Sequence, residues 1–142
     1  MRKYFGSVVL KTAVRLIIPF ILMFAIYVLV QGHDSPGGGF QAGTLISISI
    51  ILARMTLEPE TRWGPSRRTA IILACLGVVI YAGIGIIEIF LGGELLEHSE
   101  LPIALPEVEL HVIGIMGIEM GIMLAVTGAF IIFFDILTKG EY

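Results

Sequence analysis

The sequence contains four apolar segments, each of them long enough to cross a lipid bilayer as a helix. They run over about 8–31, 40–57, 69–91 and 111–137. A membrane-spanning helix needs about 20 mostly apolar residues, because the hydrocarbon core of a bilayer is about 30 Å thick. Only 15% of the 142 residues are charged, and a soluble chain of this length could not bury so much apolar surface. The sequence therefore predicts an all-α integral membrane protein with four transmembrane helices, organised as a single domain over 1–142.

The basic residues predict the orientation of these helices. All nine lie before or early in the first segment, between the end of the second and the start of the third, or after the fourth: Arg2, Lys3, Lys11, Arg15, Arg54, Arg62, Arg67, Arg68 and Lys139. The connections 32–39 and 92–111 contain neither Lys nor Arg. By the positive-inside rule, we expect both termini and the 54–68 connection to be cytoplasmic in a multi-pass protein of the cell membrane. Arg54 ends the second segment, where its guanidinium can reach the lipid headgroups.

A glycine-rich connection joins the first two segments, with the sequence Gly-His-Asp-Ser-Pro-Gly-Gly-Gly-Phe-Gln-Ala-Gly over 32–43. Pro36 cannot continue a helix, and the glycines permit backbone conformations that other residues avoid. The amide groups of this turn need partners in water or in protein, since lipid provides none. The N-terminus of the second helix follows at once and could face an anion or a carboxylate. No Lys-Ser or Lys-Thr follows the glycines, so the run is not a phosphate-binding loop.

Read as a whole, the pattern His-x-x-Pro-Gly-Gly-Gly-Phe-Gln-x-Gly resembles the signature of the MnhB/MrpB family, the B subunits of multisubunit Mrp-type sodium/proton antiporters. The matching positions are His33, Pro36, Gly37, Gly38, Gly39, Phe40, Gln41 and Gly43. Residues 110–119 look like the last helix of that family, which often carries a Gly-Ile-x-x-Ile-Glu pattern. Ala42 departs mildly from the family, in which glycine is common at this place.

The resemblance implies an accessory membrane subunit of a Mrp-type Na⁺/H⁺ antiporter that supports assembly, with a contribution to the ion path as a further expectation. Its partners would be other membrane subunits and the lipid bilayer, and Na⁺ and H⁺ would be the transported ions. The alternative is a homologous subunit in the ion-pumping arm of a membrane-bound hydrogenase or a sulfur-reducing respiratory complex. Redox chemistry would then reside in other subunits, because one cysteine cannot ligate an iron–sulfur cluster.

Four ionisable residues within or beside the predicted helices are candidates for the ion path: Glu119, His111, Glu88 and His33. Glu119 lies about 12 Å along its helix from His111, well inside the hydrocarbon region. An ionised carboxylate at this depth costs at least a few kcal/mol unless it is solvated or paired. Glu119 is therefore either part of a polar path or an acid hydrogen-bonded to a neighbouring subunit. The large subunits of such complexes resemble proton channels with buried lysines, and no Lys lies mid-helix here, so we expect an assisting role.

The sequence also bears on two further classes of protein. Small four-helix exporters of cationic compounds are a class of short chains with an essential acid in the first helix. The first segment here has no carboxylate, which counts against that class. A purely structural scaffold remains open. The sequence shows no nucleophile paired with a base and no spaced cluster of metal ligands, so we expect no enzymatic activity and no cofactor.

Small residues in the last two segments predict close helix packing. Gly117, Gly121 and Ala125 recur every fourth residue and Ala129 extends the series, while the third segment carries Gly77, Gly83 and Gly85. Such ladders let two helix backbones approach closely in a membrane. The sequence leaves open whether they join helices within the chain or between subunits.

Overall fold

The computed structural model describes residues 8–32, 38–57, 64–90 and 107–139, without the side chains of Glu88, 107–111 and Lys139. Across these ranges the protein is all-helical: α1 spans Val8–Val30, α2 Gly39–Thr56, α3 Arg67–Phe90 and α4 Glu107–Lys139. All four helices are long and apolar enough to cross a membrane, which confirms the predicted fold class. α4 begins four residues before its expected start, and its 33 residues extend for about 50 Å.

Local sequence explains where the helices begin and end. Gly38 precedes α2 with φ +100°, a backbone conformation that glycine adopts without a steric penalty. Leu57 ends α2 in an extended conformation while its N–H still donates to the carbonyl of Ala53. Ser66 begins α3, because its hydroxyl accepts a hydrogen bond of 3.2 Å from the N–H of Thr69, as an N-cap serine does.

The four helices form a row in the order α1, α2, α4, α3. Among the described residues, α1 packs on α2, α2 on α4 and α4 on α3, while α1 touches α4 slightly and α3 touches α4 alone. α2 and α4 run parallel, since their contacts advance in the same direction: Gly39 with Glu119, Gly43 with Met123, and Arg54 with Asp135. We call the end of the row with Gly32, Gly38 and Glu119 the hairpin end, and the opposite end the Arg54 end.

The interface between α3 and α4 is built from small residues. A Cβ atom placed on Gly77 would clash with the backbone of Gly121 and of Ala125. It would lie 2.9 Å from the Cα of Ala125. One placed on Gly128 would lie 2.6 Å from the N of Ala74. The two helix backbones are therefore in direct contact. Of the small residues that the sequence left unassigned, Gly77, Gly121 and Ala125 join α3 to α4 within this chain, whereas a Cβ atom at Gly83 would have no neighbour within 4 Å.

Apolar packing on the other side of the row joins α1 to α2 near the Arg54 end. Val14 and Ile18 of α1 are buried together with Ala53 and Leu57. α2 is the least apolar of the four helices, and it is flanked by α1 and α4 on both sides. The outer surfaces of α1 and α3 expose many large apolar side chains, as expected for surfaces covered by lipid or by other membrane proteins.

Candidate functional site

The carboxylate of Glu119 lies against the connection between α1 and α2. A Cβ atom placed on Gly32 would clash with both carboxylate oxygens, with Oε1 2.5 Å away and Oε2 closer still. One placed on Gly38 would lie 2.7 Å from Oε1. Glu119 itself is partly buried. The structure thus brings together two features that the sequence singled out separately, the glycine-rich connection and the intramembrane acid of α4.

Backbone contact reinforces this arrangement at the first residue of α2. A Cβ atom placed on Gly39 would clash with the carbonyl oxygen of Glu119 and would lie 2.7 Å from its carbonyl carbon. A side chain at Gly39 would therefore push the backbone of α4 away from the connection, whereas one at Gly32 or Gly38 would displace the carboxylate end of the Glu119 side chain. We call these three residues the glycine cradle.

The start of α2 provides a favourable electrostatic environment for a carboxylate. Gly38 offers no side chain to cap the helix, and the first N–H groups of a helix have no partner within it. The N-terminus of a helix also carries a partial positive charge. Glu119 lies beside this N-terminus, as the sequence had suggested for an unspecified anion or carboxylate. The arrangement lowers the free energy needed to hold a negative charge beside the start of α2.

The remaining residues of the hairpin motif have different positions. Gly43 packs against α4, since a Cβ atom there would lie 2.7 Å from the carbonyl oxygen of Met123, and its own carbonyl accepts a 3.2 Å hydrogen bond from Thr127. Phe40 and Gln41 are exposed. They line an open cleft of about 300 Å³ together with Phe24, Thr44 and Leu45.

Several predicted site residues lie outside the described part of the chain. His33, Pro36 and Gly37 belong to the segment 33–37, and the side chains of Glu88 and His111 are likewise not described. Their roles stay predictions. Glu88 belongs to the last turn of α3 and His111 to the second turn of α4. Within the described residues, no three metal-ligating side chains of the His, Cys, Asp or Glu type come together.

The sequence did not predict the ion pair at the Arg54 end. Arg54 donates a hydrogen bond of 2.8 Å to Oδ1 of Asp135, and a second nitrogen of the same guanidinium donates to the carbonyl of Pro65. The sequence had assigned Arg54 to the headgroups. One feature of the sequence could have indicated this pair. Arg54 and Asp135 carry opposite charges, and each lies near the C-terminal end of its helix in two helices that are expected to run in the same direction.

Four apolar spans define a small multi-pass membrane protein. The chain belongs to the family described as "Domain related to MnhB subunit of Na+/H+ antiporter", whose sequence profile matches residues 9–132. It is 33% identical over 137 residues to "Putative antiporter subunit mnhB2" of Staphylococcus haemolyticus (strain JCSC1435), covering 96% of this chain and 97% of the relative. It is 32% identical over 127 residues to the protein of the same name from Staphylococcus aureus (strain Newman), covering 89% and 90%.

Proposed function

We propose that this chain is an accessory membrane subunit of a Mrp-type Na⁺/H⁺ antiporter, in which it supports assembly and contributes Glu119 to the ion path. The family and the printed names of its relatives support the antiporter complex as the setting. Those names describe subunits, so other membrane subunits are the expected partners, with Na⁺ and H⁺ as the transported ions.

The contact of Glu119 with the glycine cradle is the observation that carries the ion-path role. A carboxylate within a transmembrane helix is costly and marks an ion pathway more often than a neutral structural position. Here the backbone is adapted to it, since Gly32 and Gly38 both lack the Cβ atom that would displace the carboxylate. This adaptation of the backbone to an ionisable group supports the ion-path role over a purely structural scaffold.

The shape of the row supports a role in assembly. A row of four helices has two broad faces and two edges, and its edge helices α1 and α3 expose apolar side chains along much of their length. The basic residues whose side chains are described all lie toward the Arg54 end, namely Lys11, Arg15, Arg54, Arg67 and Arg68. By the positive-inside rule this end is cytoplasmic, and the glycine cradle then lies toward the opposite side of the membrane.

The test begins with purification of the complex in mild detergent and identification of the subunits that accompany the chain. Co-purification with large antiporter subunits supports the proposal, whereas hydrogenase or sulfur-reductase subunits would contradict it. The purified complex is then reconstituted into vesicles, and Na⁺-dependent proton movement is recorded with a pH-sensitive dye.

A substitution in the same complex tests the ion-path role. We expect Glu119→Gln to lower the antiport rate about tenfold or more, as loss of a proton-handling group does. The matched control is Thr127→Val, which removes a buried hydroxyl from α4 without removing an ionisable group, and which should leave the rate nearly unchanged. Normal antiport in an assembled Glu119→Gln complex would eliminate the ion-path role and leave a scaffold.

A further inference from the structure

We propose that the ion path through Glu119 continues along the surface of α4, between α4 and a helix of another membrane subunit that carries ionisable or hydroxyl side chains. The inference rests on the ion-path role proposed above, and it names the surface and the kind of partner that complete the path. It follows from the packing of the row, because the helix pairs within the chain leave no room for an ion to cross.

The interface between α2 and α4 is closed on the Arg54 side of Glu119. The Cβ position of Gly43 lies 2.7 Å from the carbonyl oxygen of Met123. Ser47, one turn beyond Gly43, is 0% exposed, and so is Ile131, one turn before the ion pair at the Arg54 end. A water molecule needs both space and polar partners inside a protein. This interface therefore offers no hydrated route from Glu119 toward the Arg54 end.

The buried hydroxyl groups do not form a proton relay either. Ser47, Ser49 and Thr56 donate to carbonyls of their own helix, and Thr127 donates to the carbonyl of Gly43. A hydroxyl has a single O–H to donate, so each of these groups has used its donor on the backbone. The hydroxyls thus stabilise α2 and its contact with α4 without passing a proton from one side chain to the next.

The other two interfaces of the row are closed as well. Val14 and Ile18 of α1 pack with apolar residues of α2 in a buried cluster, and the backbones of α3 and α4 touch at Gly77. Within the described ranges α2 and α3 make no contact, and α1 touches α4 only slightly. A layer one helix thick has no interior for a channel. A path that reaches Glu119 must therefore cross the rest of the membrane on the surface of the row.

Glu119 lies at one end of an exposed stripe on α4. Phe130, Phe133 and Leu137 follow it by 11, 14 and 18 residues, close to whole numbers of turns, so all four side chains share one face of the helix. Glu119 is partly exposed, and the other three are 40%, 63% and 74% exposed. We call Phe130, Phe133 and Leu137 the α4 stripe. It extends from the depth of Glu119 toward the Arg54 end, over about 27 Å.

The composition of the α4 stripe indicates what covers it. Lipid cannot carry the path onward, since a charge in hydrocarbon costs at least a few kcal/mol. The stripe itself is apolar and provides no group that could bind or relay an ion. The polar groups beyond Glu119 must therefore come from a protein that packs on the stripe. The occupant that fits is a membrane helix with ionisable or hydroxyl side chains at the depth of Phe130 and Phe133.

Photo-crosslinking in the intact complex tests this surface. The photoreactive residue p-benzoylphenylalanine replaces Phe130 or Phe133, whose rings it resembles, and native membranes are irradiated. We expect an adduct with another subunit, located by mass spectrometry on a peptide that carries an ionisable or hydroxyl residue within about two helical turns. Adducts with lipid alone or with a second copy of this chain would overturn the proposal, as would a peptide without such a residue or no adduct at either position. Unirradiated membranes give the background.

Variants of the buried hydroxyls separate this inference from the function on which it rests. We expect Ser47→Ala and Thr127→Val to keep the antiport rate per assembled complex within about twofold of the wild type, because no ion passes between α2 and α4. A fall of about tenfold in either variant, together with a low rate for Glu119→Gln, would place the path inside the chain and retain the ion-path role. Normal antiport in the assembled Glu119→Gln complex would instead remove the ion-path role itself, whatever the crosslinks show.

Discussion

Arg54 on α2 and Asp135 on α4 form an ion pair of 2.8 Å in which each side chain is 18% exposed. The same guanidinium donates to the carbonyl of Pro65, immediately before α3. One side chain thereby joins α2, α4 and the entry to α3 at the Arg54 end. The glycine cradle holds α2 against α4 at the hairpin end, so these two parallel helices are fixed to each other at both ends.

Breaking this ion pair should destabilise the protein. Asp135→Asn or Arg54→Gln leaves one partly buried charge without its partner, and we expect a loss of roughly 1–3 kcal/mol, between the values for exposed and buried pairs. The thermal unfolding midpoint of the purified complex measures the effect. The control is Arg68→Gln, because Arg68 is exposed. The double variant should lose less than the sum of the single losses, and strict additivity would show that the two residues are not coupled.

The glycine cradle should not tolerate a methyl group. We expect Gly39→Ala and Gly38→Ala to reduce the amount of assembled complex, because a Cβ atom at Gly39 would clash with the backbone of Glu119 and one at Gly38 would displace its carboxylate. Gly38 also has φ +100°, which strains any other residue. The matched control is Gly83→Ala, since a Cβ atom there would have no neighbour within 4 Å. Equal amounts of complex from all three variants, measured by gel filtration, would contradict the close contact.

The four spans could be read from the sequence, whereas their order in the row could not. Length and hydropathy identify a membrane helix because the bilayer sets both. Neighbours are harder to assign, since lipid-facing and helix-facing surfaces are both apolar. α2 illustrates this, because its buried Ser47 and Ser49 donate to carbonyls of their own helix and so give no sign of which helix covers them.

The candidate site was predicted in pieces. Glu119 was identifiable because an acid in an apolar helix is costly, and the hairpin because of its glycines. Glu119 and the cradle glycines are 80 to 87 residues apart along the chain, and no local pattern encodes a contact over that separation. The same holds for Arg54 and Asp135, which are 81 positions apart and meet only because α2 and α4 are parallel neighbours.

The addition of a single methyl group to the interface between α3 and α4 should destabilise the protein. A Cβ atom at Gly77 would clash with the backbone of α4, which cannot move as a flexible side chain does, so we expect Gly77→Ala to cost about 1–3 kcal/mol through overpacking. The unfolding midpoint of the complex measures it, again with Gly83→Ala on the same helix as the control. If Gly77→Ala caused no loss of stability, α3 would not pack on α4 through Gly77.

Orientation is testable at the two ends of α3. Cys75 is the one cysteine in the sequence, so a Cys75→Ala chain is a clean background for single cysteines. Thr69 is exposed near the start of α3, and Phe90 is 86% exposed at its end. A membrane-impermeant maleimide should label Thr69→Cys in inside-out vesicles and Phe90→Cys in right-side-out vesicles, since the basic end of the row is expected to be cytoplasmic. The reverse pattern would place the glycine cradle on the cytoplasmic side, and labelling of both cysteines from one side would show that α3 does not span the membrane.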